Sequence, residues 1–167
     1  MSGTGAPPPS APQPPRCYVA SPLGFGEAGR HYYATVYLPA LRTVVEPVDP
    51  WALTSAAEVV QAAAAGRQAQ MALEIGRRNI AAIDSCALLV AHLDGQELDS
   101  GTAAEVGYAS ARGLRCFGLR TDLRDAGEPG ALVNLQVQTF IVESGGAILP
   151  TLELLLAALS AGANPAS

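Results

Sequence analysis

The chain alternates between short apolar runs and longer alanine-rich runs with polar residues at helical spacing. The clearest apolar run, CALLVAHL, is continuous, which is typical of a central strand buried on both faces of a parallel sheet. The pattern predicts strands at Cys17–Ser21, Thr43–Val48, Cys86–Leu93, Arg115–Arg120 and Ala147–Leu149. It predicts helices at Glu27–Arg42, Glu58–Ser85 with a break around Gly66, Gly101–Arg112, Leu132–Ser144 and Thr151–Ala161.

Five strands that alternate with helices predict a single α/β domain with a five-stranded parallel sheet, doubly wound in the flavodoxin-like or Rossmann-like manner. In such sheets ligands bind beyond the carboxyl ends of the strands. Three loops are therefore the first candidates for a site: Ser21–Gly29, Asp49–Trp51 and Asp94–Gly101. Residues 1–15 are rich in proline, serine, glycine and alanine, and we expect a disordered tail there, before a domain of residues 16–162.

Composition narrows the class of protein. The 167 residues are 49% hydrophobic, enough for a core, and carry a net charge of −5. An acidic domain of this kind lacks the charge footprint of a nucleic-acid binder or a membrane-surface protein. No apolar run reaches the roughly 20 residues of a membrane span, and no signal-peptide core is present, so we expect a cytoplasmic protein. Cys17, Cys86 and Cys116 are odd in number and widely spaced, which favours reduced thiols and no metal site.

Residues 24–29 match the GxGxxG pattern of dinucleotide-binding folds, and Glu46 and Asp49 lie roughly where a ribose-binding acid would be. Two residues argue against this interpretation. Pro22 lies in the turn, and Glu27 would place negative charge near a pyrophosphate. A glycine-rich loop that admits some other ligand is the better interpretation, and dinucleotide binding is the minor alternative.

The segment 94–108, DGQELDSGTAAEVGY, concentrates the candidate chemistry, with acids at Asp94, Glu97, Asp99 and Glu105. Thr102-x-x-Glu105 fits a capping box, in which Glu105 would only bond to the start of its own helix. In the alternative interpretation, Glu105 lies in the first helical turn and faces the pocket, where the helix dipole favours its ionised form. An ionised carboxylate beside a sugar is suited to attack an anomeric carbon.

The segment 99–109, DSGTAAEVGYA, resembles the signature of the nucleoside 2-deoxyribosyltransferase family, roughly D-x-G-T-A-x-E-[LIV]-G, and the resemblance covers most of residues 17–148. It implies that Glu105 is a nucleophile that forms a covalent deoxyribosyl–enzyme intermediate. It further implies that Tyr18, at the end of strand one, orients Glu105, and that Asp99 accepts the sugar 5′-hydroxyl. Gly101 and its small neighbours would let the ligand approach the backbone closely. No metal or organic cofactor is implied.

The resemblance also implies substrate-binding residues and an assembly. Asn134 would be lent to the sugar by a neighbouring subunit, which predicts a homo-oligomer, although an asparagine there could simply start a helix. Phe25 and Trp51 could sandwich the base, with a core role for Trp51 as the alternative.

Asn79 departs from well-known members, which carry an aspartate placed to help protonate the departing base. An asparagine can donate a hydrogen bond to the base but has no proton to give. Asp84, one turn on, is interpreted as a helix-end residue.

The predicted function is base exchange between 2′-deoxynucleosides and free nucleobases, by a double displacement that retains configuration. The nearest alternative is a nucleotide N-glycosidase, which passes the intermediate to water and must hold a 5′-phosphate. Asp99 argues against a phosphate, because repulsion from a carboxylate would cost on the order of a few kcal/mol. Arg30 could partly offset that repulsion. A nucleotide-sensing or dinucleotide-binding module without turnover is the third hypothesis.

Overall fold

Strands and helices alternate along residues 13–124 and 126–162, which are the residues described by the computed structural model. The strands are β1 (Arg16–Ala20), β2 (Glu46–Val48), β3 (Leu88–His92), β4 (Arg115–Leu119) and β5 (Ile148–Leu149). The helices are α1 (Glu27–Tyr32), α2 (Leu38–Leu41), α3 (Ala56–Ala64), α4 (Gln68–Asp84), α5 (Ser100–Ala111), α6 (Leu135–Glu143) and α7 (Leu152–Gly162). A π-helical turn, Tyr33–Tyr37, joins α1 to α2, and short 3-10 turns cover Pro22–Phe25 and Pro50–Ala52.

The five strands form one parallel sheet in the order β2-β1-β3-β4-β5, which confirms the predicted fold class. The chain leaves β1 toward one edge of the sheet and returns on the other side of β1 to form β3. Tyr18 pairs with Leu89 and Ala20 with Ala91 across that junction. The reversal of strand order opens a crevice at the carboxyl ends of β1 and β3, where ligands bind in such sheets.

Apolar side chains cover both faces of the sheet, as expected when buried strands alternate inward-facing residues between two helical layers. On one face Tyr18, Leu89 and Ala91 pack with residues of α4, α5 and α6. On the other face Val19 and Val90 pack with residues of α2, α7 and the π-helical turn. The crevice with the candidate site lies on the first of these faces, since Tyr18 reaches it from β1.

The second strand is shorter than predicted. Thr43, Val44 and Val45 donate their backbone N–H groups to carbonyls at the end of α2, so they form its closing turn and do not pair with β1. The predicted break near Gly66 is present, where a φ of +66° suits glycine. Residues 1–12 of the expected tail lie outside the described residues, whereas the Pro15 carbonyl accepts a bond of 2.9 Å from the Glu46 amide.

Two further features bear on the class of protein. In the part of the chain that the structure describes, no helix is long and apolar enough to cross a lipid bilayer. All three cysteines are free thiols, with Cys17 and Cys116 buried and Cys86 partly buried.

Candidate active site

A cavity of about 330 Å³ opens at the carboxyl ends of β1 and β3. It is lined by Ser21, Phe25, Pro50, Trp51, Ile75, Asn79, Asp99, Gly101, Thr102 and Glu105. The loops after β1, β2 and β3 contribute to the lining, together with α4 and the start of α5. Six residues singled out in the sequence therefore share one cavity: Glu105, Asp99, Asn79, Phe25, Trp51 and Gly101.

The Glu105 carboxylate is held through one of its two oxygens. The Tyr18 hydroxyl donates to Oε1 at 2.6 Å, and the Asn79 amide nitrogen donates to the same oxygen at 3.4 Å. Tyr18 is fully buried and is the third of five residues in β1, so its predicted place at the end of the strand was wrong. No described residue donates to Oε2 of Glu105, which leaves that oxygen available to a ligand in the cavity.

Burial raises the pKa of Glu105 above that of an ordinary glutamate, and the nearby Asp99 charge adds to the rise, while the bonds from Tyr18 and Asn79 oppose it. The predicted position of Glu105 in the first helical turn was wrong. Helix α5 begins at Ser100, so Glu105 is its sixth residue and lies in the second turn, beyond the range where the dipole is strong. Burial and the adjacent Glu105 also raise the pKa of Tyr18, so its hydroxyl remains a donor at neutral pH.

Asp99, not Thr102, caps helix α5. Its Oδ2 accepts from the Thr102 backbone amide at 2.8 Å and from the Thr102 hydroxyl at 3.1 Å. The capping-box interpretation of Glu105 was therefore wrong, because the helix starts three residues earlier and Glu105 bonds to Tyr18 instead. No described residue donates to Asp99 Oδ1. Gly101 packs closely beside the cap, since a Cβ there would lie 3.1 Å from Asp99 Oδ2.

The two aromatic rings of the cavity meet edge to face. Their centroids are 4.8 Å apart with an interplanar angle of 85°, and a sandwich of the base between Phe25 and Trp51 stays a prediction. Both side chains remain accessible, with Phe25 73% exposed and Trp51 40% exposed, and the core role considered for Trp51 was wrong. The indole nitrogen donates to the Ser21 carbonyl at 3.3 Å, and the Trp51 amide donates to Asp49 Oδ1 at 2.9 Å.

Two of the three glycines of the GxGxxG match serve local packing. A Cβ on Gly24 would lie 2.2 Å from Cε2 of Trp51, and one on Gly29 would lie 2.4 Å from the Leu23 carbonyl oxygen. Arg30 stabilises the same loop by donating to the Gly24 and Phe25 carbonyls, both at 3.3 Å. Packing against the indole and the loop backbone thus accounts for Gly24 and Gly29, whereas a Cβ on Gly26 would meet nothing within 4 Å.

Asn134 lies away from the cavity of its own chain. It caps α6 by accepting from the Gln136 and Val137 amides at 3.0 and 3.4 Å, and it lines a neighbouring cavity of about 590 Å³. Its capping contacts match the helix-start alternative, and a role in a partner's site stays a prediction.

Asp84 is the last residue of α4, as predicted. Its carboxylate accepts hydrogen bonds from Tyr108 and Arg112, and it does not line the Glu105 cavity.

The other acids of segment 94–108 have different surroundings. Asp94 binds the loop after β4, because its Oδ1 accepts from the Thr121 and Asp122 amides at 2.6 and 3.0 Å. Glu97 lines the larger cavity that also contains Asn134. Within residues 13–124 and 126–162, no three potential metal ligands come together.

Sequence reasoning missed four residues of the lining: Ser21, Pro50, Ile75 and Thr102. Signals for them were present in the chain. Ser21 and Pro50 fall in the two loops after β1 and β2 that were already candidates, and Ile75 precedes Asn79 by four residues, which places both on one face of a helix. Thr102 was noted only as a possible cap.

Comparison with known proteins shows the family of the chain. A model of the Nucleoside 2-deoxyribosyltransferase family matches residues 17–149, and the chain belongs to that family. No curated protein matches the sequence significantly.

Two solved structures share the fold. A conserved protein from Enterococcus faecalis has a TM-score of 0.64 at 22% identity, covering 89% of this chain and 99% of its own. The CMP N-glycosidase BcmB from Clostridium botulinum has a TM-score of 0.53 at 18% identity, covering 88% of this chain and 98% of its own. At these identities the likeness shows the fold alone.

Proposed function

We propose that this protein exchanges the base of 2′-deoxynucleosides through a covalent intermediate on Glu105. The observation that carries the proposal is the Glu105 carboxylate itself. One oxygen is fixed by Tyr18 at 2.6 Å, the other has no described donor, and the side chain lines a cavity at the crevice of the sheet. Membership of a family named for deoxyribosyl transfer supports the same chemistry.

In the first step, Oε2 of Glu105 attacks the anomeric carbon, and the bond between that carbon and the base nitrogen breaks. The bonding electrons leave with the base, which takes a proton from water, because Asn79 has none to give. In the second step, a nitrogen of the incoming base attacks the same carbon, the bond to Glu105 breaks, and the carboxylate is restored. The incoming base loses its N–H proton to water, and two inversions give overall retention.

Tyr18 and Asn79 orient the nucleophile in this proposal. Both donate to Oε1, which turns Oε2 toward the cavity and stabilises the negative charge before attack and after departure of the sugar. Because burial raises the pKa of Glu105, the rate should fall on the acid side at a higher pH than for an exposed glutamate. Oε2 is the attacking atom because Oε1 already accepts two hydrogen bonds.

Asp99 is proposed to bind the sugar. Its Oδ2 is used by the helix cap, so Oδ1 is the atom that would accept the 5′-hydroxyl proton. A 5′-phosphate in the same place would face this carboxylate as well as Glu105, which disfavours nucleotides over nucleosides. Arg30 does not line the cavity, and its described bonds go to the Gly24 and Phe25 carbonyls.

The base is proposed to pack against Trp51 and Phe25, with Ile75 on the opposite wall. A base between the two rings would require Phe25 to turn from its edge-to-face position, so contact with one ring face is the simpler arrangement. Asn134 of a neighbouring subunit is proposed to complete the sugar site, which requires a homo-oligomer. We further propose that the enzyme works in the cytoplasm, in keeping with its acidic composition and free thiols.

A second candidate function is N-glycoside hydrolysis, in which water replaces the incoming base. The shared fold of the CMP N-glycosidase from Clostridium botulinum supports keeping it. Asp99 argues against it to the extent that such enzymes must hold a phosphate. A binding module without turnover is the third candidate, and covalent chemistry at Glu105 would exclude it.

One experiment separates the three candidates. The protein is incubated with deoxyinosine or thymidine and a second free base, and the products are resolved by chromatography. A new deoxynucleoside supports transfer, whereas release of base and free deoxyribose alone would replace the proposal by hydrolysis. In parallel, mass spectrometry after incubation with a deoxynucleoside and no acceptor should find the sugar on the peptide that contains Glu105. Absence of the adduct, of new nucleoside and of released base would leave only the binding module.

The same assay tests the sugar site. Asp99→Asn keeps a good helix cap but removes the charge, so transfer from a nucleoside should fall by about tenfold through the lost charge-assisted bond. The ratio of nucleotide to nucleoside turnover should rise, measured with thymidine and its 5′-monophosphate. An unchanged ratio would contradict the assignment of Asp99 to the 5′ position.

A further inference from the structure

The cleft for the base has two walls that belong to different parts of the chain. Pro50 and Trp51 lie in a 3-10 turn after β2, and Ile75 and Asn79 lie on α4. The separation of these walls sets how a planar base fits between them. A residue that ties one wall to the other would therefore control binding without touching the substrate.

Arg78 provides that tie. Its Nη1 donates to the Leu53 carbonyl at 3.0 Å, to the Thr54 hydroxyl at 3.2 Å and to Glu58 Oε1 at 2.9 Å. Within the described residues, every hydrogen bond that joins α4 to residues 49–58 is donated by this one guanidinium. Two of its acceptors, Leu53 and Thr54, lie two and three residues beyond Trp51 in the chain.

The guanidinium is itself held in place. Its Nε donates to Glu74 Oε1 at 3.4 Å, one turn earlier on α4, and the side chain is only 31% exposed. A planar fork of donors can serve several acceptors at fixed angles, which a lysine ammonium on a flexible stem does less well. The neighbouring Arg77 differs, since it is 69% exposed and lies 3.9 Å from Glu74.

From these contacts we propose that Arg78 is a positioning residue that fixes the width of the base cleft. It acts through Leu53 and Thr54 on the wall that carries Trp51, and as the neighbour of Asn79 it belongs to the opposite wall. Loss of the fork should let the Trp51 turn move relative to α4. Glu105 and its bond from Tyr18 lie outside these contacts, so the chemical step at a bound substrate should be preserved.

The inference rests on the proposed function for its kinetic readout, and the lone tryptophan provides a second readout that does not. The test compares Arg78→Met with Arg77→Met in the full chain. In Arg78→Met, KM for the free base should rise by about 5- to 20-fold, while kcat stays within about threefold and the pH profile is unchanged, as expected when the lost contacts stabilise the bound substrate and the transition state equally. Arg78→Lys should recover part of the affinity.

Trp51 fluorescence reports the cleft without turnover. Acrylamide quenching of the free protein should increase in Arg78→Met and not in Arg77→Met, and titration with a free base should show the same loss of affinity as the KM. If Arg78→Met does not fold, Thr54→Val removes one acceptor and should give a smaller change in the same direction. An unchanged KM and quenching, or a fall in kcat with a shifted pH profile, would overturn the inference. Absence of a Glu105 adduct in the unaltered protein would instead overturn the proposed function.

Discussion

Two segments carry the same short pattern, a hydroxyl residue followed three positions later by glutamate, and the fold uses them in different ways. At Ser55 and Glu58 the pattern forms a capping box, in which the Glu58 amide donates to the Ser55 hydroxyl at 3.2 Å and the Ser55 amide donates to Glu58 Oε2 at 2.8 Å. At Thr102 and Glu105 the helix has already begun at Ser100, capped by Asp99. The glutamate is thereby turned toward the cavity and Tyr18.

The difference changes the chemistry of the two carboxylates. Bonds from Ser55, aided by the Arg78 guanidinium, lower the pKa of Glu58 to about 2. Burial raises the pKa of Glu105, and only one of its oxygens is bonded by the described residues. A carboxylate whose lone pairs are used by its own helix stabilises structure, whereas one held by a single oxygen in a cavity can react.

The largest expected effect is on the rate of base exchange, which should differ sharply between variants at Glu105 and at Glu58. Glu105→Gln should lower base exchange by at least about 10³-fold, because an amide oxygen is a poor nucleophile. Glu58→Gln should lower kcat/KM by less than about tenfold, through weaker positioning of Arg78. Steady-state exchange assays measure both, with Glu143→Gln, at the end of α6, as a control outside the cavity. Comparable losses at Glu105 and Glu58 would contradict the assigned nucleophile.

Tyr18→Phe should have the next largest effect, a fall in kcat of about 10- to 100-fold from loss of a strong bond to a charged group. Because that bond lowers the pKa of Glu105, its removal raises the pKa further. The acid limb of the pH–rate profile should therefore move to higher pH than in the unaltered protein. A limb that stayed in place, or moved to lower pH, would show that Tyr18 does not govern the ionisation of the nucleophile.

Substitution at Glu105 and at Glu58 should change the melting temperature at pH 7 in opposite directions. The folded-state pKa of Glu105 is raised, so its protonated form favours folding at low pH and that stability is lost as pH rises through the raised pKa. Glu105→Gln should then melt at a higher temperature than the unaltered protein at pH 7, and the gap should close below the ordinary value of about 4.5.

Glu58 is the reverse case, because its pKa is lowered from 4.5 to about 2. Its ionised form favours folding above pH 4.5, and that stability is lost as pH falls to about 2. Glu58→Gln should melt at a lower temperature at pH 7, with the difference vanishing in acid. Thermal unfolding followed by circular dichroism from about pH 2 to 8 tests both variants, and equal signs at pH 7 would count against the comparison.

The smallest effect concerns the caps themselves. Ser55→Ala and Asp99→Ala should each cost about 1 kcal/mol of unfolding free energy, the usual value of a lost N-cap, while Asp99→Asn should cost only a few tenths. Denaturant titration provides the free energies. If Asp99→Ala were neutral, Asp99 would not be the cap of α5.

Much of the site was predictable because most of its residues lie in the loops that follow the strands along the chain. The run CALLVAHL indicates a buried central strand, and the loop after such a strand faces a ligand in a doubly wound sheet. Glu105, Asp99 and Gly101 follow that strand directly, so their approach to one cavity was expected. Asn79, Phe25 and Trp51 also line the cavity, but the edge-to-face contact of the two rings could not be read from the sequence, because it depends on how the loops after β1 and β2 meet.

By itself the sequence determined the alternation of strands and helices, the candidate loops and the residue types able to react, because these depend on local pattern and composition. Tertiary structure alone decided which oxygen of Glu105 is held, the rise of its pKa and the link that Arg78 makes across the cleft. Each of these depends on side chains far apart in the chain, such as Tyr18 and Glu105, and their distance and burial are set only when the sheet assembles.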